Sequence, residues 1–265
     1  MSFRSEWMKR LLLVALILIT LVLPSVTSAE AFFSLPVATI ILDAGHGGKD
    51  PGAVGKITEG EQSIDIYEKE INLQLVKLIG TNLEELYPGI EVIYTRNGDD
   101  YISLWERTQI ANSHPYTPDS SKLFVSIHVN AAGTESASGF EIWRLQKSIE
   151  KDFFTTSLSE SGVLSMTETL NTTLNGELDA MTTRLSQSIE TSLQYNLPVG
   201  VKDRGIKEGS FYVLHNSCMP AVLIETGFMT NEDEIRRLID PIYQQRLSEG
   251  VAIGIITYLE SLIIE

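Results

Sequence analysis

Apolar residues along this chain fall into two kinds of run. Residues 37–42 (VATIIL), 123–127 (LFVSI) and 221–224 (AVLI) are short, nearly continuous and rich in β-branched side chains, the pattern of strands buried on both faces. Residues 91–95 and 139–143 read as two further strands, and 211–214 as a short one. Between these runs apolar positions recur at helical spacing: Ile71, Leu75, Leu78, Ile79 and Leu86 behind Glu68, then Leu178, Met181, Leu185, Ile189 and Leu193. A short helix is expected around 103–111 after the turn Asn97-Gly98-Asp99, and two more near 232–238 and 243–259. Residues 59–67 are polar and read as loop. Strands alternating with helices predict an α/β fold: one domain over 37–265, with a mostly parallel, twisted sheet flanked by helices on both faces.

The first segment obeys a different pattern. Arg4, Lys9 and Arg10 precede an uncharged apolar run from Leu11 to Leu23, and either Thr27-Ser28-Ala29 or Ala29-Glu30-Ala31 would suit a signal peptidase. The run is short beside the roughly 20 apolar residues of a spanning helix. Residues 1–29 are therefore expected to be a signal peptide and 30–36 a short linker, with no stable membrane span after cleavage. The mature chain is expected outside the cytoplasm, in the periplasm or cell envelope or released to the medium. Cleavage removes three basic residues and one acidic, so the formal charge of -15 becomes -17. A chain so acidic repels polyanions at long range, and no Lys and Arg run interleaved with aromatics offsets this, which excludes nucleic acid as a partner. The single cysteine, Cys218, rules out an intramolecular disulfide and reads as a small buried hydrophobe beside an apolar run.

Candidate chemistry collects at strand ends. His46 sits in the turn Gly45-His46-Gly47-Gly48, where glycines tolerate positive φ and let other atoms come close. His128 follows 123–127, and Glu225 closes 221–224. In a parallel sheet these ends share the edge at which open α/β sheets bind ligands, and Glu68 reaches it from the first turn of the next helix. Two imidazoles and one carboxylate make the three-ligand set of a catalytic zinc with an open fourth position. Each residue alone has a plainer role. His46 could be an exposed turn histidine, Glu68 a solvated acid favoured by the helix dipole, His128 a hydrogen-bonded core histidine, and Glu225 half of an ion pair with Arg107 or Arg204. Glu225 is the hardest to explain plainly, because an unpaired buried carboxylate costs on the order of several kcal/mol, and the meeting of all four residues at one edge favours the site. Asn130, Arg96 and Arg107 lie near the same edge as candidates for holding substrate carboxylates or sugar, with a structural ion pair the equal alternative for either arginine. His114 and His215 fall in loop and turn and read as surface residues. A phosphate-loop reading fails, since Lys49 comes too soon after Gly45 and no Ser or Thr follows it.

Five runs, in order, carry a family resemblance: DAGHGGKDPGAVG at 43–55, EKEINL at 68–73, SIHVNAA at 126–132, VKDRGIKEGSFYVL at 201–214 and MPAVLIETGFMTN at 219–231. Together they resemble the zinc-dependent N-acetylmuramoyl-L-alanine amidases of the bacterial cell wall, over nearly all of the chain after the first segment. The resemblance implies one zinc ion held by His46, Glu68 and His128, with Glu225 as the catalytic carboxylate. It implies hydrolysis of the bond joining muramic acid to the first alanine of the stem peptide, in peptidoglycan turnover or daughter-cell separation. Peptidoglycan is then the macromolecular partner, and an activator protein a possible second one. Ala44 stands where many members have proline, which touches no ligand. The stretch 56–67 is long, so Glu59, Glu61 and Glu70 stand as fallback ligands.

Two other functions use the same residues. A non-catalytic wall-binding or regulatory protein could share the scaffold, although retention of all four site residues argues against it. A zinc peptidase of different bond choice would share every ligand. Finally, residues 151–177 are longer than the connections of about 2 to 6 residues typical of α/β units. They read as a polar surface excursion with a short helix or, as the family resemblance implies, as a regulatory lid over the zinc cleft. In the second case Phe153, Phe154, Leu158, Val163 and Leu164 would dock it, and Glu160 or Glu168 would fill the open zinc position.

Overall fold

The computed structural model describes residues 37–115, 121–155 and 161–264. The expected signal peptide and linker (1–29 and 30–36) lie outside these residues, as do Leu158 and Glu160 of the candidate lid. In chain order the elements are β1 (Val37–Ala44), β2 (Val54–Glu59), β3 (Gln62–Tyr67), α1 (Glu68–Leu86), β4 (Glu91–Tyr94), α2 (Leu104–Ser113), β5 (Ser121–Asn130) and β6 (Phe140–Leu145). They continue with α3 (Ser161–Asn196), β7 (Asp203–Gly209), α4 (Tyr212–Asn216), β8 (Ala221–Phe228), α5 (Glu232–Leu238) and α6 (Pro241–Ile264). The main sheet has the order β4-β1-β5-β8-β6-β7. Its first four strands are mutually parallel, whereas β6 pairs antiparallel with β8 and parallel with β7. The C-terminal ends of β1, β5 and β8 therefore share one edge with the N-terminal ends of β6 and β7.

Strand alternation sorts the side chains onto two faces. Ile40, Leu42, Val125, Ile127, Val222 and Ile224 pack against Leu75 and Ile79 of α1, Leu185 and Ile189 of α3, and Val251 and Ile255 of α6. Ile41, Phe124 and Leu223 face the thinner layer, formed by Ala111 of α2 and Val213 and Leu214 of α4. Asp43, Ser126, His128 and Glu225 share the parity of this second set. The polar ends of the three strands thus open toward α2 and α4. The mostly parallel sheet with helices on both faces, in a single domain, is as expected.

Three local expectations change. Residues 59–67, expected as loop, belong to a β-hairpin in which β2 and β3 pair from Val54↔Tyr67 to Glu59↔Gln62. It is polar because most of it faces solvent, with Ile57 tucked into the core at 3% exposure and Gly55 close against Ile235 of α5. Residues 211–214, expected as a strand, run into the single turn of α4. Cys218, expected to be buried, is exposed.

The structure also locates the long stretch 151–177. Because β6 runs antiparallel to β8, its end at Leu145 lies beside Ala221, at the edge opposite His46, and both residues line one cavity with Lys151 and Asn175. Lys151 Nζ donates to Leu214 O (2.9 Å) and Ser217 O (2.5 Å), while Asn175 bonds both main-chain groups of Lys151 at 2.9 Å. Phe154 is tied to Asn171 in the same way. From there α3 runs back toward the site edge, where Gln194 meets Asp203 at the start of β7. Phe153, Phe154 and Glu168 thus belong to the end of the sheet away from His46 and do not cover the cleft there.

Candidate metal centre and active site

His46 has φ 61°, flanked by Gly47 (φ 129°) and Gly48 (φ 57°). A left-handed histidine is uncommon and costs on the order of 1 kcal/mol or more, so its surroundings must hold it. Two buried arginines do so. Arg96 donates from Nε to Ala44 O (2.9 Å), from Nη2 to Gly45 O (2.9 Å) and Lys69 O (2.8 Å), and from Nη1 to Gly98 O (3.0 Å). Arg107 donates to Ala44 O (2.6 Å), His46 O (2.7 Å) and Ile102 O (3.1 Å), and pairs with Asp43 at 2.6 Å. Asp43 also accepts from Thr95 and Ser126, each at 2.6 Å. Burial alone would raise its pKa, but the Arg107 charge and the two hydroxyls hold the carboxyl below its usual range. Arg96 and Arg107 were expected either to hold substrate carboxylates or sugar or to form a structural ion pair. Every nitrogen of both guanidinium groups is engaged within the fold, and each residue is only 3% exposed, so their work is to shape the turn.

Above this base, His46, Glu68 and His128 bring one ligand atom each to within 4.8 Å of one another. Glu68 Oε1 lies 3.2 Å from His46 Nε2 and 3.0 Å from His128 Nδ1. Those spacings suit the edges of a zinc tetrahedron, about 3.3 Å for bonds of about 2.0 Å. Supporting contacts set the orientation of each ligand. Asp50 Oδ2 sits 2.8 Å from His46 Nδ1, which leaves Nε2 for a metal. Glu68 accepts from Ala53 N (2.8 Å), Val129 N (3.1 Å) and Asn72 Nδ2 (3.2 Å). Its pKa is lowered: burial opposes this, but His128 and His46 together outweigh it. His46 is raised to about 9, burial being outweighed by Glu68 and Asp50. A Cβ at Gly45 would lie 2.2 Å from the His128 ring, and one at Gly52 2.5 Å from Glu68 Oε2, so both glycines make room for the cluster. The fallback residues Glu59, Glu61 and Glu70 are exposed and outside the cluster.

Glu225 lies across from His128 in the β5–β8 register and lines a cleft of about 330 Å³ with His46, His128, Asp50, Tyr101, Phe211 and Tyr212. Its Oε2 is buried and has no hydrogen-bond partner among the described residues. Burial is the main cause that pushes its pKa up to about 7. Neither suggested arginine pairs with it, since Arg107 holds Asp43 and Arg204 holds Glu141. A metal-ligating donor set, a glycine cradle around it and an orphaned carboxylate oxygen at its rim all fit a zinc ion. Asn130 is half-buried at the same edge, with Nδ2 3.4 Å from Glu141 Oε2. Asp50, Asn72 and Glu141 escape a reading by strand ends. Asp50 carries one local signal, its position four residues after His46, while Glu141 is brought to Glu225 by an antiparallel register that spacing does not reveal.

The comparisons with known proteins agree with this geometry. Residues 40–257 match the model of the family described as N-acetylmuramoyl-L-alanine amidase. The amidase LytC of Bacillus subtilis is 31% identical over 220 residues, which cover 83% of this chain and 35% of LytC. The solved N-acetylmuramoyl-L-alanine amidase of Clostridium difficile 630 superposes with a TM-score of 0.62 at 31% identity, over 85% of this chain and 98% of that one. The CwlD amidase of Clostridioides difficile, solved in complex with the GerS lipoprotein, superposes with a TM-score of 0.62 at 28% identity, over 84% of this chain and 99% of that one. With the family match spanning most of the chain and the histidine–glutamate cluster at its sheet edge, this protein belongs to the N-acetylmuramoyl-L-alanine amidase family of peptidoglycan hydrolases.

Proposed function

We propose that the chain is an exported zinc enzyme that hydrolyses the amide between N-acetylmuramic acid and the L-alanine of the stem peptide, with Glu225 as general base. The observation that carries this reading is the unpartnered Glu225 Oε2 facing the same cleft as His46 and His128. Zinc, when held by His46, Glu68 and His128, lowers the pKa of a coordinated water toward about 7 and polarises an amide carbonyl. Glu225 would accept a proton from the attacking water and deliver it to the leaving amine, a task suited to a carboxyl whose burial raises its affinity for a proton. Asp50 fixes the His46 ring, and Asn72 with the Ala53 and Val129 amides fixes Glu68, so the ligands need no rearrangement before reaction.

Export is supported by the charged and apolar pattern of residues 1–29 and by the cell-wall substrate of the family. No helix of the described residues is long and apolar enough to cross a membrane. The complex of CwlD with the GerS lipoprotein supports a protein partner for this chain. Digestion of purified peptidoglycan with and without a chelator, followed by mass analysis of the released peptides, tests the reaction. Free stem peptides beginning with alanine, lost on chelation and restored by zinc, are expected. Cleavage within the peptide would instead identify a zinc peptidase, and no cleavage with zinc present would favour a binding protein.

A further inference from the structure

Beyond Glu225, away from the histidines, the cleft edge carries a second charged cluster that the hydrolytic scheme does not use. Glu141 of β6 pairs with Glu225 across the sheet and is 2% exposed. Its carboxylate is held by Arg204 Nε and, at 2.7 Å, by Lys207 Nζ, both from β7. A bulge makes this possible. β7 matches Phe140↔Asp203 and Ile142↔Ile206, so it carries one extra residue, and Gly205 takes φ 83° to absorb it. Ile206 then turns to the helical core, while Arg204 and Lys207 both face the side of Glu141 and Trp143. Without the bulge, residues three apart in a strand would point to opposite faces.

The cluster is rigid and over-supplied with positive charge. The Arg204 guanidinium lies 4.9 Å from the Phe228 ring centroid, and Lys207 Nζ 5.3 Å from that of Trp143. Trp143 meets Phe211, a cleft-lining residue, edge to face at 5.2 Å. One carboxylate faces two cations here, in a chain whose net charge is -15. Arg204 keeps its side chain 26% exposed, and its two terminal nitrogens donate to no group among the described residues. That is the fork geometry suited to a carboxylate.

We propose that Arg204, assisted by Lys207, binds a carboxylate of the stem peptide on the leaving-amine side of the scissile amide. This inference rests on the amidase reading and adds the feature of the peptide that the site selects. Glu225 and Glu141 are on adjacent strands, about 4.8 Å apart, so the Arg204 fork lies on the order of 5 to 10 Å from the general base. Extended peptide covers about 3.4 Å per residue. The carboxylate is therefore borne about one to three residues beyond the bond that breaks.

Calorimetric titration with two synthetic peptides tests this: L-alanyl-D-glutamate, and the same dipeptide with its carboxyl groups converted to amides. The parent should bind the carboxylate form about tenfold or more tightly. Arg204→Gln should bring the two affinities within about twofold, Lys207→Gln should reduce the preference in part, and Arg204→Lys should restore some of it. A merely structural role for Arg204 would weaken both peptides alike and leave their ratio intact. Equal or undetectable binding of the two by the parent, or a full preference surviving in folded Arg204→Gln and Lys207→Gln, would overturn the proposal. The readout is binding, so a chain that prefers the carboxylate but releases no peptide from the wall would refute the amidase reading and keep the subsite.

Discussion

The two edges of the central sheet bury charge to different ends. At the edge opposite the cleft, Lys122 donates to Ala111 O (2.9 Å) and His114 O (2.6 Å) at the close of α2. Lys151 does the same for Leu214 O and Ser217 O at the close of α4. Both lysines answer carbonyls that a helix leaves open at its C-terminus. At the cleft edge Arg96 and Arg107 answer the carbonyls of an irregular turn, and what they fix is the aim of His46. Burying a cation carries a similar penalty in both places. Buried charge by itself therefore does not mark the site. The mark is a buried carboxylate oxygen left without a partner beside a closed network, which among the described residues is Glu225 Oε2.

The largest expected effects separate the ligands from the general base. His46→Ala or His128→Ala should abolish both zinc and activity, because two remaining ligands hold zinc poorly. Glu225→Gln should keep its zinc while turnover falls by about 10² or more, since the amide retains shape but cannot take the proton. Elemental analysis beside turnover measurements checks both. Stoichiometric zinc in the double histidine variant would remove the ligand assignment, and near-normal turnover of Glu225→Gln would move the base elsewhere.

The next effect tests whether the two edges are separable. Arg107→Met leaves Asp43 without its cation and frees Ala44 O and His46 O, so a loss of about 3 kcal/mol in urea unfolding is expected, together with weaker zinc binding. Lys122→Met should also cost stability, yet leave zinc affinity unchanged. Equal loss of zinc affinity in the two variants would mean that the edges are coupled through the sheet.

The difference between the edges also explains what could be read from the sequence. His46, His128 and Glu225 were legible because each closes or follows a strong apolar run whose end a parallel sheet brings to one edge, and Glu68 because it opens the helical pattern that starts at that edge. Arg96 and Arg107 were placed at the right edge with substrate binding and a structural ion pair as equal readings; Arg107 takes the ion pair with Asp43, while the turn carbonyls that both arginines hold leave no trace in residue type. The β2–β3 hairpin was missed because its alternation, Lys56-Ile57-Thr58 against Ser63-Ile64-Asp65, has polar residues on most positions and few buried ones. The strand expected at 211–214 failed for the opposite reason, since a four-residue apolar run fits one helical turn equally well. Strand β7 is written in charged residues, and only the bulge at Gly205 gives Arg204 and Lys207 a common direction.

A smaller effect belongs to the far edge alone. Burial lowers the Lys151 pKa from 10.5 to about 8. The unfolded chain therefore keeps this proton to higher pH than the folded one, and between about pH 8 and 10.5 the group contributes stability that rises with pH. At about 1.4 kcal/mol per unit, the gap between parent and Lys151→Met should widen by about 2 kcal/mol from pH 7 to pH 10. Urea midpoints at the two pH values measure it. A gap that stays constant or narrows would show that Lys151 is not held as a depressed cation.

The smallest expected effect is none. Phe154 and Asn171 exchange two hydrogen bonds of 2.9 Å, so the chain is already closed on itself at the base of the long excursion. Residues 156–169 can then be replaced by a short glycine linker without moving Lys151, Asn175 or the cavity of about 270 Å³ that they line. A lid over the zinc cleft would hold basal activity down, and removing it would raise the rate on intact wall. The described residues that flank the excursion, Phe154 and Asn171, lie instead toward the edge opposite His46. The shortened chain should therefore match the parent in zinc content and in rate on purified peptidoglycan. A rise of several-fold at unchanged zinc content would show that the segment reaches the cleft in solution and would restore the lid.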